Sequence, residues 1–165
     1  LVQSGLIEKI RNLEVIAWTT LIFGFLLYLS DKFKLTNNLK DNYSYKAAFL
    51  IGILQILSLI PGVSRSGIAI TAARLLNFKR IDSAKISFLL SIPILGAVSF
   101  FGFQNIIVSE NIFFTKINLL AIFFSFLFSL ITIKYFLKYV KKFSLNIFVF
   151  YRVFLGVILL ILTYL

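Results

Sequence analysis

At 165 residues with 60% hydrophobic side chains, and with 20 Phe among them, the chain is too apolar to cover itself with a polar surface, which excludes an ordinary water-soluble domain and requires lipid as solvent. Its formal net charge of +11 does not mark a nucleic-acid binder, because the Lys and Arg fall in short segments between apolar runs and not along an aromatic-studded soluble face. Cys and His are both absent, so disulfides, thiol nucleophiles and zinc sites are excluded within the chain, and the absence of Met and of a leader pattern in 1–14 leads to the expectation of a fragment or an incomplete record.

Four apolar runs, 15–29, 86–103, 117–133 and 147–165, approach the length that crosses a hydrocarbon core, about 20 residues at 1.5 Å rise. The predicted fold is all-α: a polytopic helical membrane protein, one transmembrane domain over 1–165. The first span covers about 14–30, with Trp18 and Tyr28 as interfacial anchors, and a polar loop follows over 31–44. Next come two short apolar segments, 45–60 with Gln55 and 68–78 with Arg74, on either side of Pro61-Gly62-Val63-Ser64-Arg65-Ser66-Gly67. Neither spans a bilayer comfortably alone. Together they predict a re-entrant hairpin over about 45–78, whose non-helical tip is buried in protein or lines a wet cavity. The later spans are 86–108, 117–139 and 146–165. Pro93 predicts a kink in the second of the four, and Gly96, Ala97, Ser99 and Gly102 predict close helix contact there.

Loop charges give the sidedness. Lys32, Lys34, Lys40 and Lys46 precede the hairpin, Lys79, Arg80 and Lys85 follow it, and Lys134, Lys138, Lys141 and Lys142 come two crossings later; the intervening loop holds only Glu110 and Lys116. The positive loops share one side, which the positive-inside rule makes cytoplasmic. Lys9 and Arg11 dissent. The hairpin then enters from the cytoplasm with its tip toward the outer side; two full spans would give the same parity.

The seven residues 61–67 carry the chemistry. An Arg between two apolar segments costs at least a few kcal/mol unless it is paired or wet. No carboxylate is expected inside the spans, since Asp31, Asp41 and Asp82 are placed in loops, so an anionic ligand is the natural partner of Arg65. Guanidinium binds phosphate oxygens bidentately, Gly62 and Gly67 permit close backbone approach, Ser64 and Ser66 offer hydroxyls, and the following helix aims its N-terminal N–H groups at the same place. The other reading is a Pro-Gly turn with Ser caps and a snorkelling Arg.

The stretch from Gln55 through Phe88, and the ending from Phe148 with its Tyr151-Arg152 and Gly156, resembles the bacitracin-resistance type undecaprenyl-diphosphatase family. That resemblance implies an inverted repeat of re-entrant hairpins, of which this chain holds half, in the bacterial cytoplasmic (inner) membrane with a site open to the outer face. It implies hydrolysis of undecaprenyl diphosphate to undecaprenyl phosphate and phosphate, which recycles the lipid carrier for peptidoglycan synthesis and confers bacitracin resistance. Arg65 would hold the diphosphate and stabilise developing charge, with Ser64 beside it as a catalytic candidate. Gly62, Ser66 and Gly67 would complete the cradle, and Gln55 is a further candidate contact. The family's acidic motif, with paired Glu and a His, is missing here, so the chain alone is expected to be inactive. No cofactor is identifiable and no metal ligands are found. A Mg or Ca ion would find its ligands with the acidic motif.

Expected partners are the undecaprenyl diphosphate lipid and membrane lipids, not nucleic acid; a homodimer is left open. Arg74 is open between adding potential toward a second phosphate and a snorkelling or interhelical role, and Arg152 is read as an interfacial anchor. The main alternative function is a polyprenyl-phosphate or other lipid transporter or flippase that binds the head group without hydrolysis, with a purely structural membrane subunit as a third.

Overall fold

The computed structural model describes residues 12–33, 36–108 and 112–165. Its helices are α1 (Leu13–Lys32), α2 (Leu39–Asn42), α3 (Tyr45–Gln55) continued by a 3-10 turn (Ile56–Leu59), α4 (Arg65–Leu75), α5 (Arg80–Val108), α6 (Ile112–Lys142) and α7 (Asn146–Tyr164). Four of them, α1, α5, α6 and α7, are long and apolar enough to cross a bilayer, as the four apolar runs predict. The chain is therefore an all-α, multi-pass membrane protein. The apolar helix over Tyr45–Leu59 and the 11-residue α4 are the short pair.

The boundaries of α4 bear directly on the motif. The helix starts at Arg65, three residues earlier than expected, because Ser64 caps it: the Ser64 Oγ accepts from the Gly67 N–H at 3.1 Å. It stops at Leu75 because Asn77 turns left-handed at φ 68°, and the Asn77 and Phe78 N–H groups close back onto Arg74 O and Ala73 O. α5 likewise begins at Arg80, with Asp82 in its first turn, and runs on through Pro93.

α1 and α7 lie antiparallel. The Leu145 N–H donates to Asp31 Oδ2 at 3.0 Å at one end, and the Tyr164 hydroxyl donates to Glu14 Oε1 at 2.6 Å at the other. Their close approach rests on two glycines: a Cβ on Gly156 would stand 2.6 Å from Leu21 Cγ, and one on Gly24 3.3 Å from Arg152 Cβ. By contrast Gly96 and Gly102 have nothing within 4 Å of a notional Cβ, and Ala97 and Ser99 are exposed. Among the described residues the small-residue contact therefore falls between α1 and α7, not on α5. The core has two parts. Ile51, Ala69, Ala73, Phe78 and Ile86 tie α3, α4 and the start of α5 together, and Leu27, Ile70, Ala84, Val140 and Leu145 gather α1, α4, α5 and the α6–α7 junction. The membrane-crossing part of α6 has 0% of its residues buried.

The lysine-rich loops converge at one end, as the parity of their charges predicts. The Asn37 N–H donates to Asn77 O at 3.0 Å, Arg80 Nε reaches Asp31 Oδ1 at 2.6 Å, and Leu145 closes on the same aspartate. Asp31 corrects the expectation of a loop residue. It occupies the last turn of α1 and is 3% exposed, held by Arg74 and Arg80. The spans do contain a carboxylate, at their lysine-rich end. Lys9, Arg11, Lys34 and Glu110 lie outside the described residues.

Candidate anion site at the start of α4

The turn before α4 is pinned by neighbouring helices. Thr19 Oγ1 on α1 donates to Pro61 O at 2.6 Å, and Arg152 on α7 donates through one terminal nitrogen to Gly62 O at 2.8 Å. Gly62 holds φ at 87°, and any Cβ there would collide with Thr19 Oγ1 and the Ile16 carbonyl. Gly67 has its own reason: a Cβ would stand 2.7 Å from an Arg152 terminal nitrogen. The two motif glycines thus admit the α1 backbone on one side and a guanidinium on the other.

Two cavities meet at this turn. One, of about 420 Å³, is lined by Thr20, Gly62, Ser64, Ser66, Gly67 and Arg152 together with apolar neighbours. The other, of about 760 Å³, runs between α5 and α6 from Arg65 and Ser66 past Ser87, Ser91, Ser125 and Ser129. Ser66 borders both, and its hydroxyl lies 3.3 Å from that of Ser64. Gln55 is buried at the end of α3 and lines neither.

Arg152 is the residue that sequence reasoning misplaced. It is not an interfacial anchor but 8% exposed beside the motif. The available signals were an Arg six residues into an apolar helix with no acidic residue near it, and the Tyr-Arg of the family-like ending. Arg74 resolves toward its interhelical reading: it pairs with Asp31 Oδ1 at 3.4 Å and donates to Phe33 O and Phe78 O. It sits about 14 Å along α4 from Arg65, at 1.5 Å per residue.

The electrostatics follow. Among the described residues no carboxylate pairs with Arg65 or Arg152; the ion pairs are Asp31 with Arg74 and Arg80, and Asp82 with Lys85. Arg65 at one cavity, Arg152 at the other and the partly positive N-terminus of α4 thus put positive charge beside hydroxyl-lined space on both sides of the turn, a field that favours an anion. Nothing there is fit to take up a proton from water, and no three acidic side chains among the described residues come together to hold a metal ion. Hydroxyls beside two guanidinium groups do not suit Mg²⁺ or Ca²⁺, which need carboxylate or carbonyl oxygens.

Fold and site together describe a polytopic helical membrane protein with an arginine-flanked helix N-terminus set between its spans. The chain belongs to the bacitracin resistance protein BacA family, whose model matches residues 1–158. It is 50% identical over 163 residues to the undecaprenyl-diphosphatase of Pelagibacter ubique (strain HTCC1062), covering 98% of this chain and 63% of that protein. It is 38% identical over 161 residues to the enzyme of the same name from Jannaschia sp. (strain CCS1), covering 98% and 60%. The undecaprenyl-diphosphatase of Campylobacter curvus (strain 525.92) is 42% identical over 160 residues, covering 95% and 60%. The chain thus spans about six-tenths of the length of these relatives.

Proposed function

We infer that the full-length protein hydrolyses undecaprenyl diphosphate to undecaprenyl phosphate and inorganic phosphate, and that this chain supplies the anion-binding part of its site. The observation that carries the reading is the placing of Arg65 and Arg152 on the two cavities that meet at the capped start of α4, with no carboxylate among the described residues paired to either. Water attacks the terminal phosphorus and the bridging P–O bond breaks, leaving its electron pair on the lipid phosphate. The guanidinium groups and the α4 N–H groups stabilise that charge as it grows. Ser64 and Ser66 orient the phosphate oxygens. The group that takes the proton from water, and any Mg²⁺ or Ca²⁺ ligands, lie in the part of the relatives' length that this chain does not cover. The relatives' name, that of a hydrolase, supports hydrolysis over head-group transport.

The α3–α4 hairpin is re-entrant in this reading, entering from the lysine-rich, cytoplasmic side of the bacterial inner membrane. Its tip contacts α1 at Thr19 and Thr20. That level is about 10 Å from the Leu13 end of α1 and about 18 Å from its Lys32 end, which supports a site nearer the outer face. The test is a phosphate-release assay on the full-length protein in proteoliposomes loaded with undecaprenyl diphosphate. Release at the outer surface is expected; lipid binding or translocation with no phosphate released would replace hydrolysis by transport.

A further inference from the structure

At the other end of α4, away from the motif, a cavity of about 450 Å³ opens among Lys32, Arg74, Lys79, Arg80 and Lys141, with Asp31 as its acidic residue. The Asp31 carboxylate is already engaged by Arg80, Arg74 and the Leu145 N–H. Among the described residues no carboxylate pairs with Lys32, Lys79 or Lys141, so three ammonium groups border this space without a counter-charge. The Lys32 Nζ rests 4.6 Å above the Tyr28 ring, which holds it beside the cavity.

A second observation says what sort of anion belongs there. An adjoining groove of about 600 Å³ between α1 and the α3–α4 hairpin shares Lys32 and Phe33 with the basic cavity, and its walls are Phe23, Leu26, Leu57, Ile68 and Leu75. The hydroxyls on that wall are spent on their own helices: Ser30 donates to Leu27 O at 2.8 Å and Thr71 to Gly67 O at 2.8 Å. A free phosphate would satisfy the lysines and leave the groove unfilled. A zwitterionic head group would bring its own ammonium against them.

We propose that this double cavity binds an anionic phospholipid, with its phosphodiester among Lys32, Lys79 and Lys141 and an acyl chain in the groove along α1 and the hairpin. Basic pockets between spans on the positive side of a membrane protein suit such head groups. The lipid would touch α1, α3, α4, the start of α5 and the end of α6, and so brace the hairpin from below. The inference does not depend on what the motif binds.

The experiment uses the full-length protein in detergent, titrated with phosphatidylglycerol or phosphatidylcholine of identical chains, with bound lipid counted by native mass spectrometry. The parent protein retains phosphatidylglycerol over phosphatidylcholine by about tenfold or more, each interfacial lysine contributing close to a factor of five. The triple variant Lys32→Gln, Lys79→Gln, Lys141→Gln brings the two lipids to parity. An equal charge loss at Lys40, Lys46 and Lys134, which are exposed and outside the cavity, leaves the preference intact. All six side chains are exposed, so neither variant is expected to unfold the protein. Parity in the parent, or an undiminished preference in the first variant, overturns the proposal. So does displacement of the lipid by millimolar inorganic phosphate or glycerol phosphate, which would make the cluster a free-anion site.

Discussion

The two ends of α4 carry an arginine each, and the difference between them is instructive. Arg74 is 3% exposed and meets Asp31, two further carbonyls and the positive neighbour Arg80. Arg65, one residue past the cap at the other end, is exposed to the α5–α6 groove and pairs with no carboxylate among the described residues. Both lie on the same short helix, Arg74 at its lysine-rich end and Arg65 at the motif. One is a strut with its counter-charge built in. The other faces a hydroxyl-lined groove with no counter-charge paired to it among the described residues.

Breaking the strut has the largest expected effect. Asp31→Ala leaves a buried guanidinium without its counter-charge and should destabilise the full-length protein by about 3–5 kcal/mol, read by thermal or denaturant unfolding in detergent. Unchanged stability would remove the distinction between the two arginines. Gly62→Ala forces a Cβ into Thr19 at a left-handed backbone position, and a loss of about 1–3 kcal/mol with a matching fall in phosphate release is expected. Normal unfolding and turnover would show that the tip is not held as described. Arg152→Ala should reduce kcat/KM by roughly tenfold or more, because it removes both a guanidinium at the cavity and the support of Gly62 O. Its partial restoration by Arg152→Lys would favour charge over geometry. Thr19→Ala is the mildest, about 1 kcal/mol for one hydrogen bond to Pro61 O, with KM little altered.

Much of this was legible in the sequence because membrane helices announce themselves by length and apolarity. The four spans, the short pair around residues 61–67 and the common side of the lysine loops all follow from 15–29, 86–103, 117–133 and 147–165 and the charges between them. The Ser cap belongs only to the other reading of the turn, and the pattern predicts the helix from 68; Ser64, accepting from the Gly67 N–H, starts it at Arg65. The misplaced residues share one cause. Asp31 and Arg152 each sit where a polar side chain at the end of a span normally faces the interface, and only tertiary packing turns them inward. Local pattern does not encode that α7 returns antiparallel along α1, with Gly24 and Gly156 letting it come close enough to place Arg152 behind Gly67. The small residues of α5 show the converse: Gly96, Ala97, Ser99 and Gly102 have the composition of a helix interface, yet among the described residues nothing lies within 4 Å of a Cβ at Gly96 or Gly102, and Ala97 and Ser99 are exposed.

The most direct test is Arg65→Ala in the full-length protein, assayed for phosphate release from undecaprenyl diphosphate and for unfolding temperature side by side. Loss of a charge-stabilising contact that no fold interaction requires predicts a fall in kcat/KM of roughly 10²-fold or more with an unchanged Tm. Near-parental turnover, or a collapse in stability comparable to that of Asp31→Ala, would show that Arg65 is a structural side chain like Arg74 and that the anion site lies elsewhere.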